Sequence, residues 1–143
     1  MGSSKRREDG LHAELTHKII GVARRVYASL GYGFLEKVYE NAMALEFGLA
    51  GIQVVQSAPI QVRYRGELIG VYEADLLVEG RVIVELKAVE RLIEIHEVQL
   101  VNYLRATEIE VGLLINFGPR FDVRRRIFTN DRKSGGSSGI RPL

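Results

Sequence analysis

From residue 11 onward, apolar positions recur every three or four residues: Leu15, Ile19, Val22, Val26 and Leu30. That spacing predicts an amphipathic helix over roughly 11–30. Gly31-Tyr32-Gly33 breaks it, and a second stripe of Leu35, Val38, Ala42, Leu45 and Leu49 predicts another helix, ended by the glycines between 48 and 51. The pattern then changes to strands. Residues 52–56 read as a short strand, and Pro59 separates them from an alternating strand over 60–64. Arg65-Gly66-Glu67 reads as a turn, and 68–78 with 82–88 as a hairpin. Helical spacing returns over about 92–107, with Val98, Val101 and Leu104 among its apolar positions. The unbroken apolar run 111–117 predicts a strand covered on both faces, in the interior of the sheet. Gly118-Pro119 ends it, and 122–128 reads as a last edge strand. The order helix, helix, strands, helix, strand, strand implies an α/β fold with helices packed on a sheet.

Length and composition add bounds. The chain has 143 residues, 46% hydrophobic and 27% charged, which suits one ordinary domain with a real core. The expected division is a flexible arm over 1–9, one domain over 10–130 and a Ser/Gly-rich flexible tail over 131–143. Cysteine is absent, which excludes disulfides and thiolate metal sites and fits a reducing, cytoplasmic setting. No apolar run reaches the ~18 residues that span a bilayer, and the polar start of the chain does not read as a secretory leader. The net charge of +2 permits nucleic-acid binding through local basic patches without indicating it.

The charges inside the hairpin change the picture. Asp75 interrupts its first apolar run, and Glu85 and Lys87 interrupt the second, two apart and therefore on one strand face. Buried carboxylates are costly without a cation, a hydrogen-bond network or a metal. Two carboxylates and a lysine on one sheet face suggest a site for a hard divalent cation and an activated water. The register decides whether they meet. A two-residue turn at Glu79-Gly80 would put Asp75 and Glu85 on opposite faces. A connection one residue longer pairs Val78 with Val82 and sets Asp75 opposite Glu85. It also gathers Leu76, Val78, Val82, Val84 and Leu86 on one apolar face, so the longer connection is expected.

Asp75, then Glu85-Leu86-Lys87, resembles the Asp…(Asp/Glu)-x-Lys core of the PD-(D/E)XK nuclease superfamily. Gly33, Glu36 and Tyr39 match the pattern for which the GxxExxY family is named, and Gln99 with Tyr103 matches the QxxxY element of RecB-like nucleases. The resemblance runs from about Leu15 to Phe128. Ala74 stands where the superfamily name has proline. The resemblance implies a restriction-endonuclease-like mixed sheet flanked by helices, dependence on Mg²⁺ or Mn²⁺, and phosphodiester hydrolysis, with DNA the leading substrate and RNA left open. It makes Asp75, Glu85 and the Leu86 backbone carbonyl metal ligands, with Glu36 an additional ligand, direct or through water. Lys87 would orient the attacking water and stabilise charge. Gln99 and Tyr103, four apart on one helix face, would hold the substrate backbone or brace the site, and His96, three before Gln99, would touch a phosphate.

Two other readings stand beside this one. A catalytically silent nucleic-acid-binding or accessory module on the same fold would bind without turnover. Against it, a silent copy has no evident reason to keep uncompensated charges in a sheet. A purely structural ion-pair cluster of Asp75, Glu85 and Lys87 is the third. Arg124-Arg125-Arg126 with Arg120 forms a basic cluster, but strand alternation prevents all of them from facing one groove. Glu73, Glu79 and Glu90 read as surface charges, and His12 and His17 carry no assigned role. An exposed sheet edge or the first helix offers a surface for a homodimer.

Overall fold

The computed structural model describes residues 10–133. The arm over 1–9 and the tail beyond 133 lie outside the described residues. Two helices come first, α1 (Ala13–Leu30) and α2 (Glu36–Leu49). They are followed by strands β1 (Val54–Tyr64), β2 (Glu67–Val78) and β3 (Val82–Lys87), helix α3 (Glu94–Arg105), strands β4 (Val111–Phe117) and β5 (Phe121–Ile127), and a 3₁₀ turn, Asn130–Arg132. The five strands form one sheet in the order β1-β2-β3-β4-β5. All neighbours are antiparallel except β3 and β4, which are parallel because α3 crosses over between them. The result is the α/β, restriction-endonuclease-like mixed sheet that the resemblance implies.

Helices cover both faces. On one face Ile19, Val22 and Val26 of α1 and Tyr39, Met43 and Phe47 of α2 pack on Leu76, Val78, Val82, Val84 and Leu86. This is the apolar face that the longer hairpin connection predicts. On the other face Leu100, Tyr103 and Leu104 of α3 pack on Ile83 and Leu114. β4 is buried along its whole length, the interior position expected of an unbroken apolar run. The α3 crossing is close: a Cβ at Gly112 would stand 2.6 Å from Leu100 Cδ1.

The hairpin register is the predicted one. Val78 pairs with Val82, Leu77 with Ile83 and Leu76 with Val84. Glu79 and Gly80 carry positive φ angles of 54° and 64°, and the Arg81 N–H closes the turn on the Val78 carbonyl at 3.0 Å. Glu79 is not merely a surface charge, since its Oε2 accepts from the Gln53 N–H at 2.6 Å.

Pro59 does not divide two strands. β1 runs through it as an edge strand, and Pro59 pairs with Glu73. An edge strand has one unpaired side, so a missing N–H there costs little. The interruption lies elsewhere, at Ser57, whose φ is 53° and which sits between the Gln56–Leu76 and Ala58–Ala74 pairs. Beyond this point Ala58, Ile60 and Ala74 join the α3-side core, whereas Leu76 and Val78 belong to the other face. Both strands therefore exchange faces opposite Asp75, and β1–β2 continues as a two-stranded ribbon to the tight turn at Arg65-Gly66.

Candidate active site

Asp75 lies where the strands part. The β2–β3 ladder ends at Leu76–Val84, and side chains take over. Asp75 Oδ2 accepts from the Leu86 N–H at 2.7 Å, and Glu85 Oε2 accepts from the Asp75 N–H at 2.7 Å. Each acid thus bonds the other strand's backbone in a crossed pair. In an extended strand a residue's N–H and C=O point to the same edge, so the Leu86 carbonyl also faces Asp75. Among the described residues the second oxygens, Asp75 Oδ1 and Glu85 Oε1, accept no hydrogen bond. No buried side-chain oxygen or nitrogen there lacks a partner, so these two oxygens reach solvent.

The acids are costly to ionise. Burial, above all, pushes Glu85 from 4.5 up to about 8, the Asp75 charge adds to it, and the bond from the Asp75 N–H and the Lys87 charge oppose it. Burial also raises Asp75, with Glu40 and Glu36 adding to the rise. Among the described residues the Lys87 ammonium forms no hydrogen bond or close ion pair. The structural ion-pair cluster is therefore not what these side chains form. The charges are not uncompensated either: two backbone amides hold the carboxylates, so the argument from uncompensated charge against a silent copy fails.

The approach to α2 explains the Gly33…Glu36…Tyr39 spacing. Gly33 has a φ of 113°, a region that favours glycine. Tyr39 is fully buried and stacks on Phe117 with ring centroids 4.5 Å apart. Its hydroxyl donates to the Gly31 carbonyl at 2.7 Å and accepts from the Phe34 N–H at 3.3 Å. The tyrosine latches the turn onto β4, and the helix starts at Glu36. Glu36 is exposed, yet its charge is felt by Asp75, Glu85 and His96. Residue-type reasoning missed Glu40. It is 5% exposed, accepts from Lys37 Nζ at 2.9 Å and Gln56 Nε2 at 2.8 Å, and acts on Asp75. Its only signal in the sequence is its place one turn after Glu36.

Helix α3 brings the remaining candidates to the same end of the sheet. Tyr103 is buried against the sheet, and burial with the charges of Glu85 and Asp75 pushes its hydroxyl up to about 12. His96 Nδ1 accepts from the Ile93 N–H at 3.2 Å, which leaves Nε2 as a donor. Burial, aided by Lys87 and opposed by Glu36, lowers His96 from the ordinary imidazole value. Gln99 is half-buried on the same helix. The arginine cluster stands apart from this group. Arg124 and Arg126 both bond Glu97, and Arg125 turns the other way to the Leu11 carbonyl.

The donor chemistry fits a hard divalent ion: carboxylate oxygens that resist ionisation, one on each acid without a hydrogen bond from any described residue. The cage is not closed by protein alone. Among the described residues no three His, Cys, Asp or Glu side chains are grouped to hold a metal, so Glu36 does not complete a three-acid cluster with Asp75 and Glu85. Among the described residues no helix is long and apolar enough to cross a membrane.

A sequence model of the PD-(D/E)XK nuclease superfamily matches residues 13–127. No curated protein and no solved structure matches the chain.

Proposed function

The chain belongs to the PD-(D/E)XK nuclease superfamily, and from that membership we propose that it is a metal-dependent nuclease of the GxxExxY type, hydrolysing phosphodiester bonds in DNA in preference to RNA. The observation that carries this reading is the crossed Asp75–Glu85 pair, which leaves one oxygen of each acid without a hydrogen bond from any described residue, close to the charge of Lys87. Asp75, Glu85 and the Leu86 carbonyl would hold Mg²⁺ or Mn²⁺, with Glu36 bonded through a water. The ion, when bound, supplies Lewis-acid stabilisation of phosphate charge and a more acidic water. The chain's own residues supply the rest. Lys87 Nζ donates to the attacking water, orienting it, and offsets charge on the phosphate oxygens. Gln99 and Tyr103 donate to the substrate backbone, and His96 Nε2 donates to a phosphate oxygen. The water oxygen bonds to phosphorus and gives up a proton to solvent, the ester P–O bond breaks, and the leaving oxygen takes up a proton from solvent.

The test is cleavage of plasmid, single-stranded DNA and RNA with Mn²⁺ or Mg²⁺. Lys87→Ala is expected to lower turnover by about 100- to 1,000-fold while melting at the wild-type temperature. Unchanged turnover in both Lys87→Ala and Asp75→Ala overturns the mechanism. A silent nucleic-acid-binding module is the second reading, favoured by the structural duty of the two acids. It is the outcome if salt-sensitive binding occurs without turnover.

A further inference from the structure

Between α3 and the ribbon is a cavity of about 370 Å³, lined in part by the Gln99, Tyr103 and His96 side chains that the chemistry above gives to the substrate backbone. Its size lies in the range of small-molecule sites, about 300–1,000 Å³. One wall comes from the ribbon: Val62 of β1 and Tyr72 of β2. The other comes from α3, where Ile95 and Val98 are apolar and Gln99 and Asn102 carry amides. Tyr103 and His96 line it as well, and both also sense the charges of the candidate active site. The cavity therefore shares side chains with that site.

The lining is matched to a flat heterocycle. Tyr72 is 51% exposed and lies tilted at 43° to Tyr103, with ring centroids 5.9 Å apart. Ile95 and Val98 are 60% and 41% exposed, an unusual use of apolar surface next to a polar site. The Gln99 side chain and the Tyr103 hydroxyl bond no other described residue, so both can hold the substrate backbone at the mouth of the cavity while the ring enters it. Arg63 and Arg65 stand at the tip of the ribbon that carries Val62 and Tyr72, where a phosphate backbone leaving the cavity would meet positive charge.

We infer that this cavity seats one unpaired nucleobase of the substrate, stacked on Tyr72, so that the chain acts on single-stranded or splayed nucleic acid. This rests on the nuclease reading for its substrate class. A base inside a duplex offers only its edge, whereas an apolar slot with one aromatic wall binds a base by its face. The ribbon sets this preference, because Val62 and Tyr72 belong to it.

The probe is a single-stranded DNA decamer carrying one 2-aminopurine, against the same decamer in duplex, with Ca²⁺ in place of Mg²⁺. Wild type and Tyr72→Phe should quench the fluorophore on binding. Tyr72→Ala should lose the quenching and bind the single strand about 5- to 100-fold more weakly, with duplex affinity unchanged. Val98→Met, which narrows the cavity from the helix side without adding an aromatic face, should do the same. Wild-type affinity for the single strand in both variants overturns the proposal, as does an equal loss for single strand and duplex. Cleavage of the same decamer in Mn²⁺ is scored separately. Cleavage that Lys87→Ala reduces and Tyr72→Ala leaves alone defeats the base site and keeps the nuclease. Tyr72-dependent quenching without cleavage does the reverse.

Discussion

Glu85 shows what a buried acid costs. Its carboxyl is pushed up to about 8, and Asp75 is raised as well. Both therefore bind protons more tightly folded than unfolded. Their contribution to stability is complete below the ordinary carboxylate range and is lost as pH rises toward 8. In EDTA the melting temperature is expected to fall between pH 5 and pH 8, and Glu85→Gln should flatten that slope. Millimolar Mn²⁺ should restore wild-type melting at pH 8 and do little for Glu85→Gln. A melting temperature that rises from pH 5 to pH 8 in EDTA would contradict the burial argument. The pairing of Asp75 with Glu85 in the hairpin was readable because charge in an apolar run is visible in any sequence. Glu40 was not, because a buried acid on a helix is written with the same letter as a solvated one.

At the level of elements, the loop that follows Lys87 is held by β4. Asn116 is fully buried; its Oδ1 accepts from the Val89 N–H at 3.0 Å, and its Nδ2 donates to the Val89 carbonyl at 2.9 Å. Gly118 lies against the same residue, where an added Cβ would be 1.7 Å from the Val89 carbonyl oxygen. Gly118→Ala must displace backbone, so it should destabilise by about 1–3 kcal/mol and lower turnover by shifting the strand end that carries Lys87. Chemical denaturation checks the first and cleavage kinetics the second. An alanine variant as stable as wild type would show that the loop yields freely. The hairpin register was legible because a one-residue slip would have mixed charged and apolar faces. The crossed bonds between strands were not, since they require the strands to separate at Asp75, and no periodicity encodes that. Pro59 misled because a rule for central strands was applied to an edge.

Across the whole molecule, burial is uneven. β3 and β4 lie between two helical layers, whereas the far ribbon leaves Leu68, Ile69, Val71 and Tyr72 exposed. Amides over 61–71 are expected to exchange with solvent at least about 100-fold faster than those of β3 and β4. Binding of single-stranded DNA should slow them. Uniform exchange would show a ribbon as firm as the core. The latch formed by Gly33 and Tyr39 bears on how relatives are recognised. Its glycine turns the chain and its tyrosine anchors the turn, so that spacing records how a helix is mounted. A survey keyed to it would collect scaffolds whether or not they cut. On the proposed mechanism, sorting cutters from mere scaffolds falls to Lys87, whose ammonium bonds no other described residue.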